Sequence, residues 1–130
     1  MRMFRTMKES PDGLPSIGPG GRLLGVRPGS APRPDVTAIN LSDIVLPGHG
    51  GMSVVPNDPM FLSKHRRPFS LGGSGQDPVW YIDEPDLGAD LRFRQDMPTH
   101  GVVEPSRAMS LQGFQDALAA TRARWKLFCR

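Results

Sequence analysis

Three short stretches of this chain carry side chains able to do chemistry on a ligand, and they lie far apart in sequence. Phe4-Arg5-Thr6 sets an arginine inside a strand-like opening run. Its planar guanidinium forks onto phosphate or carboxylate, although a surface arginine on an edge strand has the same local sequence. His49-Gly50-Gly51-Met52-Ser53-Val54 puts two glycines ahead of a short apolar run. Such glycines let backbone approach a ligand and would leave the Ser53 hydroxyl at a strand edge; an ordinary turn has this composition too. Thr99-His100-Gly101-Val102-Val103-Glu104-Pro105 starts a third strand with a histidine. Imidazole there can hydrogen-bond a ligand hydroxyl or move a proton, and a turn-capping histidine after Pro98 is the plainer alternative.

Other chemistries have less behind them. His49, His65 and His100 lack metal-ligand spacing, and Cys129 is remote from all three, so no metal site is expected. Gly72-Gly73-Ser74-Gly75 has neither the lysine nor the strand–helix setting of a phosphate loop, and no nucleophile-elbow pattern is present. Lys64-His65-Arg66-Arg67 is a basic cluster. With the cations near the C-terminus it could bind nucleic-acid phosphates, or form a solvated turn.

The elements that must position these residues are short. The sequence predicts strands over 1–8, 22–26, 52–55, 79–82, 91–94 and 101–104, separated by Pro- and Gly-rich turns, with a helical turn near 60–65. Residues 10–21 read as a loop, and 36–46 fit neither periodicity. From Ser110 onward there is no proline, and Leu111, Phe114, Leu118, Trp125 and Phe128 recur at helical spacing. Ser110 is placed to cap that amphipathic helix. Arg122, Arg124, Lys126 and Arg130 would load its C-terminal end with cations, as the dipole favours.

The 130 residues suit one domain with one core. A net charge of +3 favours an anionic partner, for which a phosphate-bearing cofactor serves as well as nucleic acid. A single cysteine excludes an internal disulfide, as in a reducing, cytoplasmic compartment. No apolar run approaches the ~20 residues of a membrane span, and no signal peptide is visible at residues 1–8.

The order of the three stretches resembles the motif series of a bacterial toxin family delivered by type VI secretion, whose fold looks like an ADP-ribosyltransferase. These are an aromatic-Arg in the first strand, a Gly-Gly-x-Ser strand start, and a late Thr-His strand. Leu91-Arg92-Phe93-Arg94-Gln95-Asp96 ahead of Thr99-His100, and 105–109 leading into a helix bearing Trp125, extend the likeness. It is best from Gly50 to the end and poor between Pro11 and Pro47.

The resemblance implies an α+β domain over 1–130, with split antiparallel sheets, a cleft for NAD between them and a C-terminal amphipathic helix. It implies a cytosol-acting toxin that transfers ADP-ribose from NAD to an unknown acceptor macromolecule, or hydrolyses NAD. A cognate immunity protein would protect the producer, and no membrane insertion is implied. Arg5 and Ser53 would hold the cofactor, Arg5 at ribose or phosphate, and His100 would act at the nicotinamide ribose. This chain departs from the family at Met52-Ser53, where a Thr-Ser pair is expected, and in lacking a Glu-x-Glu or Gln-x-Glu pair. The cation built as the nicotinamide bond breaks is normally stabilised by a carboxylate. Glu104 is the nearest candidate, on the same strand face as His100 by even spacing, and Glu84 is a second. Tyr81 or Trp80 could stack on a ring, or serve in core packing. A non-enzymatic basic module binding nucleic acid through Lys64, Arg66 and Arg67 remains the alternative.

Overall fold

A computed structural model describes residues 1–130. The opening run Arg2-Met3-Phe4-Arg5-Thr6 forms β1 (Arg2–Thr6), and its alternation buries different partners on its two faces. Met3 joins the main core, while Phe4 packs with Val55 and Val79 in a smaller cluster behind it. β1 is the inner strand of a six-stranded antiparallel sheet. Its neighbours are β3 (Met52–Pro56) on one side and β4 (Val79–Asp83) on the other. Beyond β3 comes β6 (His100–Pro105), then β5 (Leu91–Met97). A second, two-stranded sheet pairs β2 (Ile44–Val45) with β7 (Met109–Ser110). The fold is α+β: a large antiparallel sheet, a small second sheet and one helix near the C-terminus, α1 (Leu111–Ala120).

The helix begins as expected, with the Ser110 hydroxyl accepting from Gly113 N at 3.0 Å. Leu111, Phe114 and Leu118 are buried against the sheet, each contributing roughly 1.5–3 kcal/mol by leaving water. The expectation of one helix from Ser110 through Phe128 is overturned. The helix stops at Ala120, a 3-10 turn spans Arg122–Arg124, and the chain re-enters the sheet as β8 (Lys126–Cys129) beside β4. Thr121 decides this locally: its hydroxyl donates to Leu118 O at 2.7 Å and accepts from Trp125 Nε1 at 2.9 Å. Trp125 therefore reaches the core from a turn. Phe128 stacks edge-on against Phe4 on the sheet's other face, 5.2 Å between centroids. The cations lie past the helix: Arg122 grips Asp12 with two 2.7 Å bonds, Arg130 holds Glu9, and Arg124 donates to Asp86 O.

The strand expected at 22–26 is likewise absent, and only Leu24 bridges, to Ile17. Leu24 and Val26 are nonetheless in the core, so their backbone groups need partners. A helix side chain supplies two of them. Gln115 accepts from Val26 N at 3.0 Å and donates to Val26 O at 2.8 Å, as a neighbouring strand would.

Candidate functional site

The sheet is not continuous along its length. β1 and β3 pair only at Met3 with Pro56 and at Phe4 with Val55, after which the strands part. Arg5 stands where they separate and bridges the gap with its side chain. Its Nη1 donates to Ser53 O at 2.8 Å and its Nη2 to Leu23 O at 2.9 Å, with longer approaches to the Gly21 and Gly20 carbonyls. Only 6 % of the residue is exposed, yet no carboxylate touches it, and its buried Nε has no partner. Burial lowers the guanidinium to about 10, partly opposed by Asp35 and reinforced by Arg66 and Arg27. It is therefore still a cation at neutral pH, buried among carbonyls. Such a group is costly to the fold.

A cleft of about 370 Å³ opens at this parting, within the size range of small-molecule sites. Arg5 and Thr6 come to it from β1, and Ser53, Val54 and Val55 from β3. The tip of the β5–β6 hairpin adds Met97, Thr99 and His100, and the loops add Arg27, His65 and Arg66. Three of its lining residues are arginines and none is acidic. Register explains why Ser53 and His100 meet: Ser53 pairs with Val102, two residues from His100 and so on the same face. Thr6, His65 and Arg66 also line an adjoining, wholly polar cleft of about 340 Å³, which runs on to Arg22, Ser74, Gln76 and Asp77.

Thus Arg5, Ser53 and His100, drawn from 48 and 47 residues apart, share one cleft. Glu104 does not line it. Even spacing does put Glu104 on the His100 face, but four residues of strand are roughly 13 Å. At that distance Arg92, Arg94 and the Gly48 N–H enclose the carboxylate, with no exposure at all. Tyr81 is also outside the cleft. It sits beside Phe4 and Phe128, and the Arg2 guanidinium lies 4.1 Å above its ring. Trp80 is core, its Nε1 donating to Met7 O at 2.9 Å. Glu84 lies in an exposed 3-10 turn, 3.8 Å from the N-terminal ammonium.

Some site residues were not singled out for this role from the sequence. Arg66 belongs to the basic run Lys64-His65-Arg66-Arg67, but its Nη1 donates to Gly21 O at 2.8 Å and its side chain walls the cleft. Arg67 is likewise turned inward, to Met60 O. Arg27 enters the cleft while forked onto Asp35 at 3.0 and 3.2 Å. No local motif marks either arginine, since both arrive on irregular loops. Asp96 makes a 2.7 Å hydrogen bond with His100 Nδ1. Its four-residue spacing from His100 is visible in the sequence, but only the hairpin gives the spacing meaning.

No helix of the chain is long and apolar enough to cross a membrane, and no group of three or more His, Cys, Asp and Glu side chains is assembled that could hold a metal ion. A family model described as the Tse2 ADP-ribosyltransferase toxin matches residues 3–125, a span that takes in Arg5, Ser53 and His100. Neither a curated protein nor a solved structure matches the chain. The chain, matched over nearly all of its length and folded around a cationic cleft where its central strands part, belongs to the Tse2 ADP-ribosyltransferase toxin family.

Proposed function

We propose that the cleft between β1 and β3 binds NAD as substrate, and that the protein breaks the nicotinamide–ribose bond there. ADP-ribose then passes to an acceptor macromolecule or to water. The observation that carries this reading is Arg5: a buried guanidinium held by carbonyls, without a carboxylate partner, at the head of a cleft lined by arginines and no acid. An anionic ligand would complement that field, and a dinucleotide's phosphates are such a ligand. Ser53 offers a hydroxyl to a ribose, and His100 lies on the same face beside it. The adjoining polar cleft gives a long ligand a continuous path through Thr6 and Arg66.

The family supports a toxin with ADP-ribosyltransferase activity. Its action we place in the cytosol of a target cell, where NAD and macromolecular acceptors meet, and its producer would need a neutralising partner protein. The reading as a nucleic-acid module has less support. Arg66 and Arg67 donate to backbone carbonyls, while Arg122 and Arg130 are occupied by Asp12 and Glu9. Nicotinamide release by purified protein, wild type beside His100→Ala, tests the proposal; a folded H100A that releases nicotinamide at the wild-type rate overturns it.

A further inference from the structure

The cleft holds no carboxylate, so a proton acceptor for the incoming nucleophile must be sought among its other side chains. Two histidines line it, His65 and His100. Only His100 has a carboxylate partner, with Nδ1 2.7 Å from Asp96 Oδ1. An ionised carboxylate can only accept, so Nδ1 carries a proton, and in the neutral ring Nε2 is then the nitrogen with the lone pair. That is the tautomer a general base needs, with its base held in place by a third group.

The hairpin is built to make this contact. Gln95 pairs with Gly101, but His100 pairs with Met97, so the register slips by one and both Asp96 and Met97 stand opposite His100. A β-bulge of this kind re-aims side chains and recurs beside functional sites. Here it brings Asp96 to the imidazole from behind, while Met97 lines the cleft. Gln95 Nε2 braces the turn by donating to Met97 O at 3.1 Å.

We infer that Asp96 is a positioning residue that fixes His100 with its Nε2 lone pair available to the cleft, where it takes the proton of the ADP-ribose acceptor. This rests on the NAD reading above. The acceptor's O–H or N–H gives its proton to Nε2 as its heavy atom bonds to C1′ of the nicotinamide ribose. The C1′–N bond breaks, its electron pair neutralises the pyridinium nitrogen, and nicotinamide leaves. The imidazolium, stabilised by the Asp96 charge, returns the proton to water.

The test joins a spectroscopic arm to a kinetic one. In ¹⁵N-labelled wild-type protein the neutral His100 ring should show Nδ1 protonated and Nε2 bare. Asp96→Ala should lose that preference, and Asp96→Glu should keep it at least in part. Asp96→Ala should also lower kcat about ten- to hundredfold, less than the roughly hundredfold or more that loss of a general base itself costs, with KM for NAD within twofold of wild type. A wild-type ring protonated at Nε2, or an Asp96→Ala protein with unchanged kcat, overturns the inference. So does a loss in Asp96→Ala that appears only as lower thermal stability and weaker NAD binding, because that is a structural role. If wild type itself turns over no NAD, the NAD reading falls and the proton-transfer role falls with it. Failure of the dyad alone leaves wild-type turnover intact.

Discussion

Replacing Arg5 with methionine separates what this residue does for the fold from what it does for the ligand. Burial lowers its guanidinium from the ordinary arginine range to about 10, and each unit of lowering is worth about 1.4 kcal/mol. The charged form is therefore disfavoured in the folded state by about 3 kcal/mol. Methionine removes that penalty but strands Ser53 O and Leu23 O, the acceptors of its two best hydrogen bonds, at a cost of about 1–3 kcal/mol each. These opposed terms leave a net stability change between a gain of about 1 and a loss of about 3 kcal/mol, read from urea unfolding. Ligand binding has no such compensation. Losing a charge-assisted contact worth about 1.5–3 kcal/mol weakens NAD binding tenfold or more by calorimetry, and Arg5→Lys, with charge but no fork, should fall between. The pH dependence has a definite sign. Above about 10, up to the ordinary arginine range, the unfolded chain keeps the proton that the folded chain has lost, so this group's contribution to stability rises with pH across that window and its penalty is full below it. Arg5→Met should lack that rise. An Arg5→Met protein that binds NAD like wild type, or one that fails to fold, would rule out this division of roles for Arg5.

Glu104→Gln should cost about 3 kcal/mol in urea unfolding, because it removes the buried negative charge that faces Arg92 and Arg94 and turns one of the two accepting oxygens into an NH2 that only donates. Its NAD affinity should stay at the wild-type value, and a loss like that of Arg5→Met would return Glu104 to the cleft. Acid should destabilise the fold through Asp12, Asp43 and Asp83. Arg122 lowers the Asp12 carboxyl, the Asn40 and Ile39 amides lower that of Asp43, and Arg2 lowers that of Asp83. Their stabilisation is present above about pH 4 and is lost as pH falls through the depressed values. The urea midpoint should therefore be level near neutrality and drop below about pH 4, and a midpoint unchanged down to pH 3 would deny these pairs a role.

Where a stretch is governed by its own neighbours, the sequence is enough to read it. Val79-Trp80-Tyr81-Ile82 is β-prone throughout and is covered on both faces, Leu91-Arg92-Phe93-Arg94 alternates because one face meets the core, and both are strands. Ser110 is recognisable as a cap because capping is a three-residue event. What escapes is settled across the fold. Residues 22–26 have strand-like composition, but the side chains of Gln115 and Arg5 take backbone positions that a neighbouring strand would otherwise fill. Phe128 keeps helical spacing with Phe114, yet the surface formed by Phe4 and Tyr81 draws it into a strand. The same division holds in the cleft. Arg5, Ser53 and His100 stand in short motifs at strand ends, and sheet register brings them together. Arg27 and Arg66 come from loops whose course depends on the whole chain, and the even spacing of His100 and Glu104 gives the face but not the 13 Å between them.

If Arg5, Ser53 and His100 surround an NAD molecule whose nicotinamide bond is broken, as proposed, then purified protein must release nicotinamide. Purified wild type and His100→Ala, with matched unfolding curves, would be incubated with NAD labelled in the nicotinamide ring, with and without a cell lysate as acceptor pool. Wild type should free labelled nicotinamide and His100→Ala should lose this activity by about two orders of magnitude or more, the contribution expected of a proton-transfer group. Equal release by both proteins, or none by wild type in the presence of lysate, would contradict the proposal.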